Sequence, residues 1–484
     1  MSEFREKNAR RSAGSPSGAF SQNANHGAYG RRSVGSTNNK NEGFFSGIAK
    51  NFSGSGAENF AKTVRDGGAK RQAKIAANEV KSALFDQSGA LKLSRKHRPD
   101  YAIVVLILIL AITGLVVLFS IAPALNGGDQ SSTNAFMFKQ AAFLALGISV
   151  FFIFSRIPLD FWRRNASKIF IASLLVSVAV AIPHFPLALN INGAQRWFNI
   201  GAIGTFQPAE FLKFGSMLFA SGFLAMKSSR NQLNSWRELF PFFVVIGAAL
   251  FVIVVLQKDM GTGLALFAIV LTQLIIARVS WKKIAVIITI SFLAGLAAVL
   301  LFSHRMDRVI TFFGGGDQHQ NYQINQAMIA IGSGGLTGKG LGQSVQAFGW
   351  LPEQSTDSIF AILCETLGWA GALTVIVLFG VLLRRILVKT DYTENLFLRL
   401  ILAGVFGWIT AHVVLNIGAM TSLIPLTGVT LPLISFGGTS MIFIMGSLGL
   451  VFAISGYTTH RRISTESEDS RNSPAARKIN RRQI

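Results

Sequence analysis

Three clusters of polar residues stand in otherwise apolar surroundings, and their types and spacing limit the chemistry open to them. The first is residues 192–214, NGAQRWFNIGAIGTFQPAEFLKF. Pro208 suits the first position of a helix, where a missing N–H does no harm, and Glu210 and Lys213, three apart, then share one face of its first two turns. Two readings are open. One is an ion pair that ties helices together. The other is an anion site in which Arg196 and Lys213 face a phosphate while Glu210 orients the lysine. The second cluster, Lys258-Asp259-Met260-Gly261-Thr262, reads as a tight turn; Asp259 there suits a helix N-cap, with Gly261 easing the turn. The third, Pro352-Glu353-Gln354-Ser355-Thr356-Asp357-Ser358, precedes an apolar run with Glu365 about two turns inside it. Asp357 can be an N-cap, the commoner job for Asp at such a place, or a general base. A carboxylate beside a low-dielectric wall has a raised pKa, which suits proton abstraction near neutral pH.

The elements that must position these clusters are membrane spans. Half of the residues are hydrophobic (50%), yet the formal net charge is +23. Both hold because charge collects at the chain ends, while residues 101–457 carry serial apolar runs long enough to cross a bilayer. Ten spans are expected near 101–124, 134–155, 166–183, 207–226, 239–256, 261–277, 283–303, 359–383, 398–420 and 437–457. The fold class is therefore an all-α polytopic membrane protein. With a cytosolic N-terminus, the inner loops hold Arg156, Arg163, Arg164, Lys168, Lys227, Arg230, Arg237, Arg278, Lys282, Lys283, Arg384, Arg385, Lys389 and Arg399. The outer loops hold only Arg196, Lys258, Arg305, Arg308 and Lys339. The positive-inside rule then places both termini in the cytosol and a large loop, 304–358, between spans seven and eight on the outside.

Residues 1–98 form a basic tail with 18 basic against 7 acidic side chains, expected to be mostly disordered. Within it, 57–85 could form a basic helix on an anionic leaflet or partner, against a plain solvated tail. A membrane domain follows over 99–458, with a second basic tail over 459–484. The polar start predicts no cleavable signal peptide, and the single Cys364 excludes an intramolecular disulfide. The loop has no obvious regular structure, but its apolar residues, among them Ile324, Met328, Ile331, Phe348 and Trp350, argue for a packed loop with work to do. GSGG and GKGLG lack the Walker spacing. No ATP is available outside, so chemistry at the outer loop needs a substrate that arrives already activated. Asn416 and the proline- and glycine-rich runs at 425–428 and 432–440 suggest broken backbone lining a cavity or buried in protein. The histidines show no metal-ligand spacing.

Taken in order, NGAQRW, FQPAE, KDMGTG, AIGSGGLTGKGLGQS, LPEQSTDSIFA with CETLG, and LPLISFGGTS resemble the SEDS family, which includes the FtsW and RodA branches. The resemblance covers roughly 100–457 and lies closer to the FtsW branch. It implies an inverting peptidoglycan glycosyltransferase that polymerises lipid II, a disaccharide-pentapeptide on undecaprenyl pyrophosphate. The product is β-1,4-linked glycan at the outer face of the cytoplasmic membrane, made in cell division. It assigns Asp357 as the catalytic base that deprotonates the acceptor 4-hydroxyl. The substrate-binding set comprises Arg196, Glu210, Lys213, Lys258, Asp259, Glu365, Arg305 and Lys339, with cations meeting the pyrophosphate. No tightly bound cofactor is expected; a divalent cation, magnesium or manganese, would screen the pyrophosphate. The implied partners are a class B penicillin-binding protein transpeptidase and other division proteins, with no nucleic acid.

Some positions depart from the family pattern. Ser355 stands where His is usual, Ala209 where Ser is, Lys258-Asp259-Met260 where Pro-Asp-Leu is, and Cys364-Glu365-Thr366 where Gly-Glu-Glu is common. The competing functions are a lipid II transporter, an elongation role of the RodA type, and a scaffold that uses the N-terminal tail.

Overall fold

The computed structural model describes residues 97–458 apart from 183–184, 192–193, 202–203, 302 and 313–317. The expected tails, including the basic helix at 57–85, lie outside the described residues except for 97–98. Each expected span is met by a helix: α1 Tyr101–Leu125, α2 Gln130–Arg156, α3 Leu159–Ala181, α4 Pro208–Ser229, α5 Trp236–Phe251, α6 Met260–Ile276, α7 Trp281–Leu301, α10 Ile359–Asp391, α11 Leu396–Met420 and α12 Gly438–Ser455. Among the described residues, nine helices are long and apolar enough to cross a membrane; α6, with 17 residues, is the shorter tenth. It tolerates that length because it lies inside the bundle against α4 and α11, burying Gly261, Ala265, Leu266, Ile269 and Gln273.

Two buried clusters hold the bundle. The larger joins α1, α2, α10, α11 and α12, and the smaller joins α4, α5 and α6. Small residues let backbones approach where lipid offers no hydrophobic drive for helix association. A Cβ on Gly449 would strike the backbone of Phe151, and one on Gly114 would strike that of Ile434. Outward faces carry large apolar side chains, such as Ile290, Phe292 and Leu300 on α7, as a lipid-facing surface requires. The chain is a multi-pass helical membrane protein.

Three features differ from the expected plan. A three-stranded antiparallel sheet, β1 Ala188–Ile191, β2 Ala194–Asn199 and β3 Thr205–Phe206, stands between α3 and α4, with Ala188 opposite Phe198 and Phe198 opposite Phe206. The Asn192-Gly193 pair between β1 and β2 is the hairpin signal the sequence carries. The loop after α7 is not structureless: α8 Ser303–Phe312 and α9 Gln318–Ser333 occupy much of it.

The third difference concerns α10, whose path breaks at Gly368 (φ 69°, ψ −173°). Trp369 to Asp391 alone is long enough for a hydrocarbon core of roughly 30 Å at about 1.5 Å per residue. The first turns, Ile359–Thr366, are buried on every side, so they form a post inside the loop structure. The expected eighth span, 359–383, is thus shifted toward its C-terminal end. Backbone bonds seat the glycine-rich stretch on this break: the N–H groups of Trp369 and Ala370 donate to Gly335 and Leu336, and those of Lys339 and Gly340 donate to Glu365 and Thr366. Gly338 (φ 81°) and Gly368 face each other so closely that a Cβ on either would enter the other strand's backbone.

Candidate active site

Asp357 sits one residue before the N-cap of α10, which is Ser358. The capping alternative for Asp357 therefore does not hold. The Glu353 carbonyl instead accepts from the N–H groups of Thr356 and Ser358 and closes the turn. The Asp357 carboxylate accepts from the Thr356 hydroxyl at 2.8 Å and lies beside Gly428, which bears no side chain to cover it. Burial pushes its pKa above the ordinary carboxylate value. The Thr356 hydroxyl and Arg308 pull it down, and Glu353 adds to the rise.

Two struts hold this turn against the irregular chain between α11 and α12. Asn416 donates to the Asp357 carbonyl at 2.8 Å and to the Val429 carbonyl at 2.7 Å, and Phe436 N–H donates to the Ser355 carbonyl at 2.8 Å. The expected broken backbone is present, with Ser422 (φ 55°), Gly428 (φ 67°) and Leu433 (φ 67°) in the left-handed region. It packs against the start of α6, where Gly261 meets the Thr427 carbonyl and Val429.

Asp259 caps α6: its carboxylate accepts from Thr262 N–H at 3.0 Å, from the Thr262 hydroxyl at 2.9 Å, and from Gln207 Nε2 at 3.2 Å. The π turn Val252–Leu256 that ends α5 aims the next two carbonyls at β2. Arg196 donates from Nε to the Gln257 carbonyl at 2.9 Å and from Nη2 to the Lys258 carbonyl at 2.7 Å. Lys258 itself is exposed, with φ 55°.

Arg308 completes the cluster. Its Nη1 donates to the Leu426 carbonyl at 3.0 Å, and its charge is felt by Asp259, Asp357 and Arg196. Two guanidinium groups within each other's field, beside two carboxylates, can hold an anion while one carboxylate works as a base. Sequence reading chose Arg305 in preference to Arg308. Arg305 is on α8, but its side chain lies outside the described residues.

Two other expected contacts are placed elsewhere. Lys213 is fully buried, at 2.8 Å from Glu210 Oε1 and 2.8 Å from His412 Nε2, with the Trp408 ring centroid at 4.8 Å. With no exposed surface, neither Lys213 as placed nor Glu210 behind it meets a phosphate. The ion-pair reading fits, and His412 and Trp408 are partners that sequence reading missed. Glu365 is likewise fully buried: it accepts from Lys339 Nζ at 2.7 Å, Ser344 Oγ at 2.5 Å, and the N–H groups of Val345 and Gln346 at 3.1 and 3.2 Å. That carboxylate fastens the glycine-rich loop to the α10 post; Lys339, partly exposed, shares the clasp.

Comparison with known proteins agrees with this architecture. The FtsW/RodA/SpoVE family model, described as Cell cycle protein, matches residues 101–460. The chain is 32% identical over 373 residues to the stage V sporulation protein E of Bacillus subtilis, covering 76% of this chain and 100% of that protein. It is 32% identical over 368 residues to the probable peptidoglycan glycosyltransferase FtsW of Halothiobacillus neapolitanus, covering 74% and 86%. The solved structure of the rod shape determining protein RodA of Thermus thermophilus is similar with a TM-score of 0.55 and 26% identity, over 75% of this chain and 98% of that one. A chain of a peptidoglycan synthase complex shares the fold with a TM-score of 0.61 and 24% identity, over 74% and 97%. This chain belongs to the FtsW/RodA/SpoVE family of cell cycle proteins, the SEDS family whose motifs its sequence carries.

Proposed function

We propose that the protein is an inverting peptidoglycan glycosyltransferase of the FtsW type, polymerising lipid II at the outer face of the cytoplasmic membrane for septal wall synthesis. The observation that carries the reading is Asp357: a partly exposed carboxylate with a raised pKa, propped by Asn416 beside Gly428 and within the field of Arg308. Asp357 takes the proton of the acceptor 4-hydroxyl as that oxygen attacks the donor anomeric carbon. The bond to pyrophosphate breaks, and its electron pair leaves with the phosphate, toward Arg308 and Arg196. A single displacement inverts an α-linked donor to a β-1,4 link. Lys258 and Lys339 are solvent-reaching cations on the same end of the bundle and would draw the anionic carrier in.

The distribution of basic residues between loops supports cytosolic termini and an outward site. Relatives named peptidoglycan glycosyltransferase FtsW support the activity and the division role. The proposed partners are a class B penicillin-binding protein and other division proteins. Among the described residues, no group of three or more His, Cys, Asp or Glu is placed to hold a metal ion. The expected magnesium or manganese ion is proposed to arrive with the pyrophosphate.

The test is glycan formation from lipid II by the full chain, alone and with its transpeptidase partner. Asp357→Ala and Asp357→Asn should abolish polymer while preserving folding; polymer from either variant sinks the base assignment. The buried Glu210–Lys213–His412 network is what a transporter would need inside its bundle. Translocation of lipid II in proteoliposomes that ignores Asp357 but needs Lys213 would favour that reading instead.

A further inference from the structure

We propose that Thr356 and Glu353 form a proton exit path from Asp357, so that each turnover returns the base to its carboxylate form through a hydroxyl bridge to solvent. The inference rests on the glycosyltransferase reading. The Thr356 hydroxyl lies 2.8 Å from Asp357 Oδ1 and 2.8 Å from Glu353 Oε2. A hydroxyl has one proton to give. Besides the Glu353 carbonyl at 3.2 Å, it bridges both carboxylates at once only when one of them holds a proton, which is the state that follows abstraction from the sugar.

The backbone is built around this contact. Glu353 has φ 50°, a conformation uncommon for a residue with a side chain. Its carbonyl is the one that closes the turn onto Thr356 and Ser358. Strain of this kind at a site is a sign of selected geometry. Glu353 is exposed, whereas Asp357 is only partly so, so the path runs outward.

Among the described residues, no other side chain that faces Asp357 is placed to take the proton. The charged groups that face Asp357 among the described residues are Glu353 on its own turn and Arg308 on α8, with Asp259 and Arg196 beyond Arg308. Arginine donates only, and Asp259 is committed to Thr262 and Gln207. From α11 Asn416 meets the Asp357 carbonyl, and from the following segment Gly428 brings no side chain. After abstraction, Asp357 passes its proton to Thr356 Oγ1 while Thr356 passes its own to Glu353 Oε2, and Glu353 releases it to water. One proton leaves for each glycosidic bond made, and the Thr356 hydroxyl rotates back.

The test is pre-steady-state and steady-state polymerisation by the full chain with its transpeptidase partner. Thr356→Val also removes a bond that holds the Asp357 pKa down, so it is assayed above its own acid limb, where Asp357 is ionised. There the first bond is limited by abstraction alone and should form at the wild-type rate. Later bonds should be slower than the first by roughly 100-fold, the low end of what a positioned proton-transfer group contributes, with KM unchanged, and imidazole or formate at rising concentration should restore them. Thr356→Ser should restore the later bonds, and Glu353→Gln, which keeps the backbone carbonyl that closes the turn, should reproduce their slowing. Wild-type turnover in both Thr356→Val and Glu353→Gln overturns the path. So does a first bond slowed as much as later ones with no response to buffer. Activity in Asp357→Ala is a separate result that removes the base reading itself.

Discussion

The Asn416 side chain spends both of its amide hydrogens on carbonyls, one on Asp357 at 2.8 Å and one on Val429 at 2.7 Å, and so fixes the base turn to the irregular segment after α11. Asn416→Ala should lower kcat by roughly 10- to 100-fold, since sub-ångström placement of the base governs the chemical step, with KM for lipid II changed little. Asn416→Asp should not rescue it, because a carboxylate has no hydrogen to give. Wild-type kcat in Asn416→Ala, measured on a folded sample, removes the strut from the mechanism.

Asp357 works only when ionised, and burial raises its pKa. The acid limb of kcat/KM should therefore lie above the pH at which an ordinary carboxylate protonates, with activity lost as pH falls through the raised value. Arg308 opposes the rise, so Arg308→Gln should move that limb to still higher pH. Removing Glu353, which adds to the rise, should move it lower. A pH–rate series on the two variants checks the signs, and a limb that moves the same way in both would contradict the assignment.

How much of this was legible beforehand depends on the distance over which each feature is determined. All ten apolar helices were readable because the bilayer imposes length and composition locally. Asp259 as a cap was readable from its turn. Arg308, Asn416 and His412 carry no such local mark: their roles arise from groups brought in by other elements, 118 residues away for Arg308 and Leu426 and 199 for His412 and Lys213. At Asp357, spacing favoured a cap, and only the family motif singled out the base. Lys213 misled for the opposite reason, since a lysine near a helix start looks available until tertiary packing encloses it.

The clasp between Glu365 and the loop predicts a distinctive failure. Glu365→Gln leaves one acceptor oxygen where two met Lys339, Ser344 and two backbone N–H groups. The protein should lose about 2 kcal/mol or more, since hydrogen bonds to charged groups contribute on that order. Protease cleavage within 334–351 should appear before the helices melt. Gly368→Ala should give the same cleavage pattern, because a Cβ there enters the loop backbone. A loop that stays resistant in both variants would show that the seat does not depend on the clasp or on the break.

The Glu210–Lys213 pair separates a structural from a substrate role. His412 Nε2 faces two donors, the Lys213 ammonium at 2.8 Å and the Trp408 indole N–H at 3.2 Å, while Nδ1 lies 3.0 Å from the Thr430 carbonyl. His412 is therefore the neutral tautomer with its proton on Nδ1. Lys213→Met alone strands a carboxylate that is 3% exposed, and Glu210→Leu alone strands the ammonium; each should cost about 3–5 kcal/mol. The double variant should recover most of that loss, since both charges go together and Trp408 still serves His412. It should also regain polymerisation, because the pair reaches no surface. A double variant that unfolds like wild type yet makes no glycan would return Lys213 to the substrate, by way of a conformation in which α4 opens.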